Sequence, residues 1–278
     1  RGIALVAVGL LAMVLVAGVR APREAEAATA FVWNSADSGA GTFRAAVEAA
    51  NANPNVNLIV LNNALPVVIT STVTYTGPQT LTIQGNSLLF NRVIEGDGPC
   101  ARFKATGGGD LTFQRVTMRN FTCDFALEAG IDIEPPANSG EAILKLGRVV
   151  LENVGADVGI RFAEPAESST SFNLQLNATR VSGCADHCVL FDEGGTGGVT
   201  ASFSTSEIRD ANTNGVLAFE RGGGDLKFTA SGSRFTGHGD VGVNLQEAGT
   251  GHLVVSLNGV EITNNEQSGL SASEYDEG

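Results

Sequence analysis

The sequence predicts an all-β fold, a parallel β-helix with three strands per coil, coils of about 27 residues and a short N-terminal capping helix. Three observations predict it. Residues 172–198, 199–225, 226–252 and 253–278 lay out as consecutive units of nearly constant length. Equivalent apolar residues recur every 27 positions, as in Val216, Val243 and Leu270, in Ile208, Phe235 and Ile262, and in Val199, Leu226 and Leu253. Short alternating strands separated by Gly-rich turns at such a period mark a stacked, quasi-one-dimensional fold. Finally, neighbouring columns compensate in size: Ala201 accompanies Phe203, and Phe228 accompanies Ala230. Residues two apart share a strand face, so each unit is expected to fill one close-packed layer of a common interior.

The elements follow in chain order. Residues 1–30 are expected to be a secretory signal peptide. The apolar run Ile3–Val19 is followed by Arg20, Arg23 and the small-residue stretch Ala25–Ala30. At 17 residues the run is near the spanning length, and an uncleaved membrane anchor is the alternative. The chain begins without Met and stops in a turn, as a piece of a longer protein would. Phe31–Trp33 is expected as the first strand. Thr42 then caps an amphipathic helix whose apolar residues Phe43, Ala46, Val47 and Ala50 fall at i, i+3, i+4 and i+7, and Asn53-Pro54 stops it. This helix is the expected lid on the first coil. Strands are expected at 57–61, 67–70, 72–75 and 81–83.

One stretch resembles a known family. Asp37-Ser-Gly-Ala-Gly-Thr-Phe-Arg44-Ala-Ala-Val-Glu-Ala-Ala-Asn51, then Leu58-Ile-Val60 and Leu81-Thr-Ile-Gln-Gly85, is similar to the cap and first coils of exported bacterial right-handed parallel β-helix repeat proteins, which have the pectate-lyase-like superfold. The signature D-x-G-x-G-[ST]-[LF]-R-x-A-[IV]-x-x-A-N is met, and the match covers roughly residues 31–130. The resemblance implies a right-handed helix and secretion or surface display, so an extracellular location. It implies no activity, because the superfold hosts lyases, hydrolases, esterases and adhesins alike. Residues 31–110 then hold the cap and first coils, and residues 111–278 continue the same domain. Coils between 107 and 171 are less regular, with extra residues at 121–128 and 135–140 placed in loops.

Of the three pairings that four cysteines allow in an exported chain, Cys100–Cys123 and Cys184–Cys188 are expected. The first pair is about one repeat apart, and the second staples one loop. A zinc site is the alternative, but these spacings with His187 match no common zinc pattern. At a net charge of −13 with only Lys104, Lys145 and Lys227 as lysines, the chain has no basic footprint for nucleic acid and no polybasic membrane patch. After signal cleavage no membrane association is expected. The protein is expected to act as a monomer whose partner is a polysaccharide or a cell-surface component.

Three columns carry the candidate chemistry. Asp186, His187, Asn212, His238 and Asp240 fall in stacked turns, and a carboxylate beside a histidine suits acid–base work. Asp186, His187, His238 and Asp240 are therefore the weak catalytic candidates, set against the tendency of every solvent-facing turn to be polar. Gly237-His238-Gly239 and Asn212-Thr213-Asn214 are similar to the G-H-G and N-T-D motifs of polygalacturonases. The motif's Asp is Asn214 here, and the paired Asp and the later R-x-K are absent, so that activity is not carried over. Arg161, Arg209 and Lys227 are basic residues of the type a polysaccharide lyase uses, outside any lyase motif. The second column, Arg180, Glu207, Arg234 and Glu261, alternates in sign and is expected to pair across coils.

The third column is Glu164, Glu193, Glu220, Glu247 and Glu274, one per coil. Stacked carboxylates can fan into water, take up protons, or share divalent ions. Long side chains on open turns favour the first. Glu193, Glu220 and Glu247 are the candidate ligands if Ca²⁺ binds, and no other cofactor is expected. The composite expectation is an exported, non-catalytic repeat protein for display or binding, with a polysaccharide-active enzyme, a lyase before a hydrolase, as the alternative.

Overall fold

In the computed structural model the described residues are 28–87, 91–123, 128–164 and 168–276. Three parallel sheets run the length of a solenoid. The first, nine-stranded, takes Ala28–Val32, Val56–Leu61, Leu81–Gly85, Leu111–Gln114, Glu141–Gly147, Ser171–Asn177, Val199–Ser204, Leu226–Ser231 and Leu253–Asn258. The second and third have eight strands each; they include Arg180–Cys184, Glu207–Ala211 and Arg234–Thr236 in the second, and Val189–Glu193, Val216–Glu220 and Val243–Gly249 in the third. Each coil contributes one strand to each sheet, so a backbone amide that leaves one strand finds its carbonyl in the next coil. This meets the hydrogen-bonding demand of a buried backbone without any antiparallel hairpin in the three sheets.

The register is that of the repeat. Ala201 stands opposite Phe228 and Phe203 opposite Ala230, and the Phe203 and Phe228 rings lie 5.1 Å apart. Large side chains fill the space their small neighbours leave, and Phe235 from the second sheet closes the layer 5.3 Å from Phe203. At the far end the last coil is only partly covered: Leu257 and Leu270 are exposed.

Helix α1 (Phe43–Ala52) buries Phe43, Ala46, Val47 and Ala50 against the first coil, and the Thr42 hydroxyl accepts the Ala45 amide at 3.3 Å. Arg44 of the family-like segment pairs with Asp37 at 2.7 Å and donates to the Thr72 carbonyl at 2.8 Å. That ties the cap to the first strand of the third sheet. The first strand begins at Ala28, before Phe31 and inside the stretch assigned to the signal, because Ala28–Val32 pairs with Val56–Leu61. The apolar run Ile3–Val19 lies outside the described residues.

Two corners are turned by single left-handed residues. Between the first and second sheets these are Arg115, Arg148, Ala178, Thr205, Gly232 and Gly259, with φ from 47° to 61°. At the ends of the second-sheet strands, Asn120, Asn153, Gly183, Asp210, Gly237 and Asn264 do the same. Asn, Asp and Gly tolerate this region, whereas Thr205 occupies it at a cost.

Both expected disulfides are present. Cys100 and Cys123 face each other across a short antiparallel pairing of Cys100–Ala101 with Thr122–Cys123, a side ladder outside the three sheets. Cys184–Cys188 fills the corner between the second and third sheets. Disulfides are compatible with an extracellular protein, and no helix among the described residues is long and apolar enough to cross a membrane.

Candidate functional site

The turn after the second sheet brings Asp186, His187 and Asp240 together around Thr213. Asp186, Thr213 and Asp240 occupy one column, their amides donating to the carbonyls of Asp157, Asp186 and Thr213 in the coil before at 2.7 Å, 3.2 Å and 3.1 Å. The Thr213 hydroxyl donates to Asp186 Oδ1 at 2.5 Å and lies 2.6 Å from His187 Nδ1. His187 Nε2 is 3.5 Å from Asp186 Oδ2. Burial lowers the His187 pKa, against the pull of Asp186 and Asp240, so at neutral pH the ring is uncharged; with the Thr213 hydrogen given to Asp186, Nδ1–H donates to Thr213 and Nε2 keeps its lone pair.

His238 is placed apart from them. It is 1 % exposed and points into the solenoid. Its Nδ1 accepts the Ala211 amide at 3.2 Å, and burial pushes its pKa down to about 4. The ring occupies the corner that Cys184–Cys188 fills two coils earlier. Its Nε2 lies only 2.4 Å from where a Cβ on Gly215 would stand, so Gly215 is the residue that admits it. His238 packs the interior and lines no solvent-facing cleft with His187.

The glutamate column is in register, Glu193 opposite Glu220, Glu220 opposite Glu247 and Glu247 opposite Glu274. It does not fan into water. Glu193, Glu220 and Glu247 are each 0 % exposed. Strand alternation is the reason: Val189, Phe191 and Glu193 share the inward face, so the carboxyl is aimed into the third corner. The Gly-rich turn then closes over it. The Gly195 amide donates to Glu193 Oε1 at 2.9 Å, and the Gly222 and Gly224 amides donate to Glu220 Oε1 at 3.0 Å and 3.2 Å. These turns stack backbone on backbone. A Cβ on Gly222 would lie 1.3 Å from the Gly195 carbonyl oxygen. Only Glu274, in the last coil, is exposed, and it meets the Leu253 amide at 3.4 Å.

Glu193 lies within hydrogen-bonding reach of the carboxyls of Glu164 and Glu220; burial first, then these two contacts, push its pKa up to about 9. Burial and the Glu220 contact likewise raise that of Glu247. Among the described residues no group of three or more His, Cys, Asp or Glu side chains is arranged to hold a metal ion.

A second polar cluster escaped the sequence reading. On the outer face of the third sheet Lys104 stands opposite Asp132, and Asp132 opposite Arg161. Arg161 Nε reaches Asp132 Oδ1 at 2.9 Å, Arg102 Nη1 reaches Asp132 Oδ2 at 3.0 Å, and Lys104 Nζ reaches Glu134 at 2.6 Å. Arg102 also pairs with Glu128, and Arg161 with Glu134. Asp132 is 0 % exposed. Alternating signs at one outward position were the available signal, hidden because the coils here are not 27 residues long. Arg161 is thus committed to carboxylates, Arg209 lies 3.4 Å from its neighbour Asp210, and Lys227 bonds Asp225 at 2.8 Å. In the alternating surface column Arg234 pairs with Glu261 at 2.7 Å as expected, whereas Arg180 is taken by Glu152 at 3.0 Å.

The outer face of the first sheet is different in kind. One column runs Ile143, Asn173, Thr200, Lys227 and Val254, and the next runs Lys145, Gln175, Ser202, Thr229 and Ser256, so hydroxyl and amide side chains stand in rows with a lysine in each. At its rim a groove of about 330 Å³ is lined by Ser171, Thr196, Thr200, Asp225 and Lys227.

Fold and site together define a three-sheet parallel β-solenoid with a buried glutamate corner. No family model matches the chain, and no curated protein and no solved structure matches it either.

Proposed function

We propose that the protein is an exported, non-catalytic β-helix repeat protein that binds a polysaccharide along the outer face of its first sheet. The observation that carries this is the rows of hydroxyl and amide side chains, spaced by the strand separation of about 4.8 Å. A flat array rich in hydroxyl and amide donors and acceptors matches the hydroxyls of an extended sugar chain, and the rim groove, which holds Glu141, Asp225 and Lys227, supplies a polar edge for one unit of it. The two disulfides and the family-like N-terminal segment support export and a pectate-lyase-like, right-handed solenoid. The test is co-sedimentation of the purified protein with a panel of insoluble polysaccharides. Wild type is expected to pellet with at least one of them, and Ser202→Arg with Thr229→Arg to stay in solution. Failure to pellet with any, or an unaffected double variant, overturns the reading.

A second reading rests on His187. A neutral, part-buried imidazole fixed by Thr213 and Asp186 has the protonation state a lyase base requires. Incubation with uronate polysaccharides, followed by the absorbance of unsaturated products, decides between them: turnover lost in His187→Ala replaces the non-catalytic reading.

A further inference from the structure

The glutamate corner presents a physical problem that the binding reading does not touch. Several carboxyls are stacked away from water at a strand spacing of about 4.8 Å, and ionised neighbours at that distance in a poorly solvated corner would repel strongly. Each carboxyl is only partly satisfied. Glu193 Oε1 and Glu220 Oε1 take glycine amides. Glu193 Oε2, Glu220 Oε2, both oxygens of Glu247 and both of Glu164 are buried with no donor. An oxygen that faces another carboxyl oxygen lacks a partner only while both are ionised. One proton placed between them makes a donor of one and an acceptor of the other.

Among the described residues no cation answers the charge instead. The groups that act on Glu193 and Glu247 are other glutamates and glycine amides. Outside the same strands, Asp192 is paired with Arg221. Across the corner, at the start of the first sheet, Lys227 is held by Asp225. Below, His252 stands 3.8 Å from the exposed Glu274. Above, Glu134, which borders the cavity next to Glu164, is held by Lys104 and Arg161.

We propose that the stacked carboxyls form a proton-binding ladder in which Glu193 and Glu247 hold protons against the neighbouring carboxyls of Glu164 and Glu220, and that loss of these protons loosens the Gly-rich third corner. The ligand is the proton itself, and the device makes the solenoid tighter in acidic surroundings than in alkaline ones. The direction follows from linkage. In the unfolded chain a glutamate loses its proton near 4.5, while folded Glu193 keeps it up to about 9. The stabilisation is complete below pH 4.5, declines as pH rises through this window, and is gone above pH 9. Asp37, Glu134 and Asp225, whose partners lower their pKa, titrate below the window; Asp110 and Asp132, raised by burial, add to the fall, and His187 and His238, lowered by burial, oppose it below about 6.5.

The experiment has two readouts on the purified full chain. Thermal melts between pH 7 and pH 9, above the titration of unfolded histidine, are expected to show Tm falling as pH rises, with a shallower fall in Glu193→Gln, whose amide needs no shared proton. Denaturation in weakly buffered solution at pH 8, where unfolded histidines are already neutral, is expected to release protons, and Glu193→Gln to release about one fewer. If Glu193→Gln does not fold, Glu247→Gln carries the same comparison. A Tm that is level or rises over this range, or proton release unchanged in the variant, overturns the proposal. So does a Tm lowered by chelator and restored by Ca²⁺, which would put a metal ion where the protons are placed.

Discussion

The third sheet carries two polar ladders built on the same strand spacing, and they solve the charge problem in opposite ways. On its outer face, in the irregular early coils, Lys104, Asp132 and Arg161 alternate in sign and neutralise one another. On its inner face, in the regular later coils, Glu193, Glu220 and Glu247 repeat one sign. Alternation gives a buried carboxylate such as Asp132 opposite charges one coil away, and Arg161 and Arg102 work against the upward push that burial puts on its pKa. Repetition removes that option, so the inner ladder must be neutralised from outside the side-chain set. The comparison teaches that a repeat copied faithfully is good for packing and bad for charge: Phe203 over Phe228 gains from likeness, while Glu193 over Glu220 suffers from it.

The largest expected effect breaks the outer ladder. Asp132→Ala strands Arg102 and Arg161 against a buried surface and is expected to cost about 3–5 kcal/mol by urea denaturation. A cost near that of a surface substitution would mean the outer charges are solvated and the contrast is false. Phe228→Ala is expected to cost a similar ~3–5 kcal/mol, because Ala201 and Ala230 leave nothing to fill the hole. A Tm shift under about one degree would count against the layer register.

The next effect sharpens the contrast directly. Replacing a carboxyl by its amide is expected to destabilise the outer ladder, as Asp132→Asn, and to stabilise the inner one at pH 8, as Glu220→Gln. The relevant result is the opposite sign of the two Tm shifts in parallel melts. Equal signs would show that the two ladders are not different in kind.

Smaller effects test the scaffold that holds both. Thr205→Gly removes a β-branched residue from φ 47° and is expected to gain about 1 kcal/mol, as Gly232 already occupies the equivalent corner. Least of all, Arg234→Ala at the exposed pair with Glu261 is expected to change stability by about 0.2–1 kcal/mol, less in high salt.

Much of this was legible in the residues. The 27-residue period gave the three sheets and their register, because parallel stacking requires identical residues to meet identical neighbours. The helix was readable from Thr42, Phe43, Ala46, Val47 and Ala50, and the disulfides from separations that match one coil and one loop. The alternating column was half legible: Arg234 met Glu261, whereas Glu152 in an irregular coil competed for Arg180.

The candidate chemistry was less so. The sequence by itself determined that a glutamate would recur at the end of the third-sheet strand in each of the later coils, and that His187 and His238 would lie in turns of the same column two coils apart. Only the tertiary structure decided how they are buried. His238 turns inward because Gly215 leaves room for its ring, and the glutamates, which strand alternation aims inward, are shut off from water because the stacked glycine corners close over them. Position along a solenoid is set by period, a one-dimensional property that a sequence displays. Burial at a corner depends on how two successive turns meet across about 4.8 Å, and that distance exists only once the coils are stacked.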